Sequence, residues 1–267
     1  MIYQNGNFDE ILLNKFFFIP KKLNNDNYYE FDDLILTKTP YHSSLFNICW
    51  VNKINPIYFE NSMKKTIEYF SPKPFSLWFY SDDFPDFLNE ILNKLSFSKK
   101  NNKIGMSYDL NNFDLNKLSI EKHKITEIRS DNELDEFLNV IDEYEPCARG
   151  YFKKISKELG FSKDNPYRYF YLSIFDKPIS IASLYFHNEN CGLFDVFTHP
   201  NFRRKGYALN LFLSLLDYAK MNGAKKLFLT TSFSEKSNEN KLVEFYKKIG
   251  FHEDCKYICF EYEGSGF

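Results

Sequence analysis

The sequence predicts an α/β protein built on a mixed, mostly antiparallel sheet with helices on both faces. Three observations carry this. From residue 124 onward the hydrophobic periods run strand, two helices, three consecutive strands, helix, strand, helix, strand. A shorter helix, strand, helix, strand order lies between residues 57 and 110 and matches the end of the chain. The 30 Phe and 19 Tyr among 267 residues supply apolar surface for a large core.

Taken in order, a helix over 8–18 is expected to end at Pro20, with strands over 34–37 and 45–51. A helix over 57–70 leads through Pro72 and Pro74 to a strand over 75–80, a helix over 85–95 and a strand over 104–110. The polar stretch 111–122 has no clear period and reads as a linker, dividing the chain into domains 1–118 and 119–267. Beyond it come a strand over 124–129, a helix capped by Ser130 and stopped by Pro146, and a helix over 148–159 stopped by Gly160. Strands over 167–175 and 179–186 form a hairpin around Asp176-Lys177-Pro178, and a third covers 192–198. A helix over 208–221, a strand over 226–231, a helix over 240–249 and a strand over 257–262 complete the pattern.

Composition narrows the function. Lys+Arg (34) nearly balance Asp+Glu (36), so the net charge gives no reason to expect nucleic acid or a membrane surface as partner, and any anion site must be local. The first ten residues lack the basic and apolar regions of a leader, and no stretch reaches the roughly 18 apolar residues of a membrane span. A cytoplasmic protein is expected. Five cysteines without ligand-type pairing to histidine fit a reducing compartment, and Cys255 and Cys259 read as packed thiols rather than a metal site.

Residues 86–97 align without gaps on 240–251, and both segments end in a small residue followed by Phe. The differences are informative. No glycine occurs between Gly6 and Gly105, so the first copy holds no tight glycine turn, and Leu92 stands where the second copy has Tyr246. A single active site would lie in the second half.

The chemistry centres on Arg203-Arg204-Lys205-Gly206-Tyr207-Ala208, a basic turn between a strand and an apolar helix. The first amides of a helix have no internal acceptor and carry the positive end of its dipole, so a phosphate oxygen can accept several bonds there. Gly206 lets the backbone approach closely, Ala208 keeps the first turn slim, and the three cations add charge. Neither a Walker nor a dinucleotide glycine pattern is present.

With Tyr246-Lys247-Lys248-Ile249-Gly250-Phe251 downstream, this loop resembles that of the GCN5-related N-acetyltransferase (GNAT) superfamily, over about residues 124–262. The run from Asn165-Pro166-Tyr167-Arg168 to Thr198-His199-Pro200 is similar to a bacterial branch whose N-terminal half is a degenerate GNAT-like domain. The resemblance implies an N-acetyltransferase moving an acetyl group from acetyl-CoA to an amine-bearing small molecule or protein in a ternary complex. It implies that Val196, Phe197 and Thr198 pair with the pantetheine arm, that Arg203, Arg204, Lys205, Gly206, Tyr207, Ala208 and Leu209 cradle the pyrophosphate, and that Tyr246 contacts the cofactor and protonates the leaving thiolate. The family often has an Asn seven residues before the Tyr; here Glu239 stands between Asn238 and Asn240, so a cofactor-contacting amide is shifted by one or absent. No acid lies within 227–231, which leaves Asp195 as first candidate base, then Glu143 and Glu145, with His199 more naturally a turn residue and an ordered water as a further option. A catalytically silent CoA-binding or protein-interaction module is the alternative.

Overall fold

The computed structural model describes residues 6–23, 28–31, 33–114, 123–142, 144–234 and 240–264. Most of the expected linker, 115–122, lies outside them. By contact the chain forms two compact units, residues 1–106 with 230–267 and residues 107–229. This division differs from a boundary at 118/119 in two segments: the chain passes to the second unit already at residue 107, and residues 230–267 cluster with the first unit, for a reason visible in the strand pairing below.

The first unit opens with α1 (Asn7–Leu23), which runs through Pro20 instead of ending there. Proline removes one helical hydrogen bond and crowds the carbonyl four residues back. Here Phe8, Ile11, Leu12, Leu13, Phe17 and Pro20 itself are buried, so packing of the apolar face outweighs that local preference. The strands are β1 (Tyr28–Glu30), β2 (Leu34–Thr37), β3 (Ile48–Val51), β4 (Phe75–Tyr80), β5 (Ser98–Lys99) and β12 (His252–Tyr262), with helices α2 (Phe59–Phe70), α3 (Phe87–Lys94) and α7 (Lys241–Ile249). Their sheet order is β1-β2-β3-β4-β12, with β5 also on β12. Strands β3 and β4 are parallel, and β12 runs antiparallel to β4 from Tyr257↔Tyr80 to Tyr262↔Phe75. This ladder is why the end of the chain belongs with its beginning.

Alternation along β4 sends Phe75, Leu77 and Phe79 to the core under α2 and α3, which includes Met63, Phe70, Leu88, Leu92 and Phe260. Trp78 and Tyr80 point to the other face, where they meet Trp50 and Tyr257 with ring centroids 5.3–6.1 Å apart and Phe16 of α1 packs on Trp78 at 5.4 Å. Within that aromatic layer the fully buried Asp9 accepts from Tyr80 Oη at 2.9 Å and from Tyr257 Oη at 2.6 Å. Burial raises the Cys255 and Cys259 thiols to about 12, and Cys255 Sγ donates to Tyr257 Oη.

The second unit contains β7 (Ile125–Glu127), α4 (Asp131–Asn139), α5 (Ala148–Leu159), β8 (Tyr167–Ile174), β9 (Lys177–His187), β10 (Asn190–Thr198) and α6 (Tyr207–Met221). Strands β6 (Asn102–Asp109) and β11 (Lys226–Phe233) are each divided between the units. The order here is β11-β10-β9-β8-β7, parallel for β10 and β11 and antiparallel for the rest. Ser130 caps α4 by accepting from the Glu133 amide, while the Glu133 carboxylate accepts from the Arg129 amide, a reciprocal cap. The β8–β9 hairpin turns on Phe175 and Asp176, both with positive φ, so it opens one residue before the expected Asp176-Lys177-Pro178 turn, and Lys177 and Pro178 already belong to β9. Tyr169 packs on Phe137 of α4 and Phe152 of α5, whereas Phe170 packs on Tyr218 of α6, so helices cover both faces.

The two units repeat one motif. In each, an antiparallel strand pair is followed by a helix and a parallel strand, as β2-β3-α2-β4 and as β9-β10-α6-β11. What differs is the helix entry: α2 starts at Tyr58 with φ −110°, α6 at Gly206 with φ +83°. Among the described residues no helix is long and apolar enough to cross a membrane.

Candidate active site

The second unit brings most of the expected cofactor residues together at one end of β10. The parallel ladder pairs Asn190–Gly192 of β10 with Lys226–Phe228 of β11 and stops there. On its other side β10 pairs with β9, and between Phe194↔Ser183 and Phe197↔Ile181 two residues, Asp195 and Val196, oppose one. This is a β-bulge, with Asp195 in the left-handed region at φ +54°. Val196, Phe197 and Thr198 therefore lie past the end of the parallel ladder, on a strand edge that can accept an extended ligand by main-chain pairing.

Two serines of β9 hold this bulge. Ser183 Oγ donates to Asp195 Oδ2, and Ser180 Oγ lies 2.7 Å from Thr198 Oγ1 and 3.3 Å from the Phe197 carbonyl. Both serines are fully buried. The sequence did carry a signal for them, since two hydroxyls interrupt the otherwise apolar run Ile179-Ser180-Ile181-Ala182-Ser183-Leu184. Across β8, Tyr169 stands in register with Ser183, and its buried hydroxyl has no hydrogen-bond partner among the described residues. A buried hydroxyl left unpaired costs about 1–3 kcal/mol. Burial is the main cause that pushes the Tyr167 and Tyr169 phenols well up, with the Asp195 charge contributing.

The basic turn follows. His199 caps a short 3-10 turn, Pro200–Phe202, by accepting from the Asn201 amide, in line with its reading as a turn residue. Arg203 folds back: its Nε donates to the Thr198 carbonyl at 2.8 Å and its guanidinium lies 5.2 Å from the Phe197 ring centre, whose other neighbour is Tyr144 at 4.6 Å. Arg204 is left-handed at φ +59°, Lys205 lies over the Phe202 ring, and Tyr207 packs against His123. Gly206 is the N-cap of α6 and no side chain caps the helix, so the opening amides of Tyr207, Ala208 and Leu209 carry their hydrogen-bonding capacity and the helix dipole into the turn. That donor set, with exposed Arg204 and Lys205 beside it, suits a phosphate.

A Cβ at Gly206 would meet nothing within 4 Å, so its requirement is conformational. Gly206→Ala is expected to destabilise the second unit by about 1–2 kcal/mol, the left-handed penalty of an L-residue, and to weaken any phosphate binding at the turn as the amides turn away. Thermal-shift titration with inorganic pyrophosphate separates the two effects, because only the second changes the ligand-induced shift.

Tyr246 and Asn240 belong to the first unit. Tyr246 is buried on α7 against Phe245 and Phe251, and desolvation pushes its phenol up to about 12. Gly250 ends the helix at φ +110°. The Asn240 amide is engaged at both ends by Ser234, donating to its carbonyl and accepting from its amide, each at 2.8 Å. Asn238 and Glu143 lie outside the described residues. Glu145 sits half-buried in the α4–α5 turn, which Arg149 fixes by bonds to Asp135, Asn139 and Asp142.

Residues 130–251 match the acetyltransferase (GNAT) family. Among solved structures, a GCN5-related N-acetyltransferase from Kribbella flavida is similar at TM-score 0.68 and 10% identity, over 99% of this chain and 98% of its own. A functionally unknown conserved protein from Staphylococcus epidermidis ATCC 12228 gives 0.67 and 13%, over 92% and 97%. A tandem GNAT protein from the clavulanic acid biosynthesis pathway gives 0.56 and 10%, over 88% and 79%. At these identities the likeness is one of fold. No curated protein matches the sequence. Residues 130–251 are thus a domain of the acetyltransferase (GNAT) family, in a chain whose fold is that of GNAT proteins, tandem ones included.

Proposed function

We propose that the protein is an N-acetyltransferase that uses acetyl-CoA and an amine acceptor, small molecule or protein, in one ternary complex. The observation that carries this is the left-handed Gly206 opening an uncapped α6 directly after a bulged strand whose parallel ladder has ended. The strand edge at Val196–Thr198 would bind the pantetheine amides, and the opening amides of α6 with Arg204 and Lys205 the pyrophosphate. Acetyl-CoA supplies a thioester open to attack by an amine. Asp195 would remove the proton that an acceptor ammonium carries, and Tyr246, kept neutral by burial, would donate its proton towards the departing sulfur.

The test is thiol release from acetyl-CoA across a panel of amines: a polyamine, an aminoglycoside, a lysine peptide and a peptide with a free N-terminus. Release with at least one amine is expected. Thermal stabilisation by acetyl-CoA without release on any amine would instead make the protein a silent binding module.

A further inference from the structure

The hydroxyl of Ser183 has no packing reason to be where it is. The residue is fully buried in the centre of β9, where alanine would fill nearly the same space without a polar atom to satisfy. Its partner is the Asp195 carboxylate, displaced onto the β9 side by the bulge. The Tyr167 and Tyr169 phenols of β8 lie within electrostatic reach of this carboxylate, and burial keeps both in their neutral form.

We propose that Ser183 is a positioning residue that holds Asp195 at the β10 bulge to take the proton from the acceptor's ammonium group. This rests on the acetyltransferase reading. In the step, one N–H bond of the ammonium breaks, its electron pair stays on nitrogen as the nucleophile, and an O–H bond forms on the Asp195 carboxylate. The proton passes to solvent after the product leaves.

A hydrogen bond donated to the charged form of an acid lowers its pKa, so removing it raises the pKa. In the full-length protein, with saturating acetyl-CoA and the best amine of the panel, Ser183→Ala is expected to move the acid limb of kcat/KM upward by about half to one pH unit. Below that limb the rate should fall about 3- to 10-fold, while the high-pH plateau stays. Ser183→Thr, which keeps the hydroxyl, should restore the profile, and Ser183→Ala added to Asp195→Asn should change nothing further. A merely structural role would lower the whole profile. Acid limbs of Ser183→Ala and the unsubstituted protein that superimpose would overturn the assignment, as would a shift that persists in the Asp195→Asn background. Absence of thiol release from the unsubstituted protein with every amine marks failure of the acetyltransferase reading. In that case the Asp195 carboxyl titration, followed by 13C NMR with and without Ser183→Ala, still decides whether Ser183 holds the carboxylate: an upward shift of about half a unit supports it and no shift overturns it.

Discussion

Tyr246→Phe is expected to lower kcat by about 10²- to 10³-fold while acetyl-CoA affinity changes by no more than about twofold. The substitution keeps the ring against Phe245 and Phe251 and removes only the hydroxyl, so packing is preserved while the proton that the proposed mechanism draws from Tyr246 is no longer there. The pH dependence is a second check. Desolvation lifts the phenol to about 12, so its acid form persists through any ordinary assay range. The loss caused by Tyr246→Phe should therefore be the same at pH 6 and pH 9. A loss that shrinks towards pH 9 would show a phenol titrating far lower, and an unchanged kcat would remove Tyr246 as the acid. Stopped-flow turnover together with calorimetric binding of acetyl-CoA measures both quantities.

Tyr257→Ala is expected to destabilise the first unit by about 3–5 kcal/mol. The ring is fully buried among Phe8, Trp50, Trp78 and Tyr80, and its hydroxyl donates to the buried Asp9. Truncation opens a cavity in the aromatic layer and takes a donor from a buried carboxylate. Tyr257→Phe isolates the second effect, at about 1–3 kcal/mol. The measurement has a built-in reporter, because both tryptophans of the chain, Trp50 and Trp78, lie in the first unit and touch this ring. Urea unfolding followed by tryptophan fluorescence should shift strongly to lower denaturant. Superimposable curves for Tyr257→Ala and the unsubstituted protein would show that β12 does not hold this unit together.

The legible parts of the fold are those set by local chemistry. Phe75–Tyr80 and Ala148–Leu159 match their expected limits because Pro72, Pro74, Pro146 and Gly160 bound them and their periods are clean. The turn at Gly206 was legible because one glycine between basic residues and an apolar helix has few structural uses. What stayed hidden depends on partners. Hydrophobic period identifies β12 as a strand but says nothing of its pairing with β4, where Tyr257 meets Tyr80 across most of the chain. No glycine marks the bulge at Asp195, where an aspartate takes φ +54° and the support comes from serines on the neighbouring strand. Pro20 misled for the same reason: a local rule yields to burial of the face on which it lies. Asp9 lies in the first turn of α1, and its burial follows only from where the Tyr80 and Tyr257 hydroxyls end up.

The pairing of β12 with β4 also sets an order of events during synthesis. Residues 107–229 form one uninterrupted segment, so the unit holding the Gly206 turn can fold as soon as that segment has left the ribosome. The first unit, although translated earlier, lacks the strand beside β4 until Tyr257–Tyr262 emerges. Until then its aromatic layer stands open along one strand edge, the kind of surface that chaperones bind and that aggregates at high expression. Nascent chains stalled once residue 229 has emerged from the ribosome, but before β12 has, should therefore resist protease over the later-made unit and remain cleavable over the earlier one.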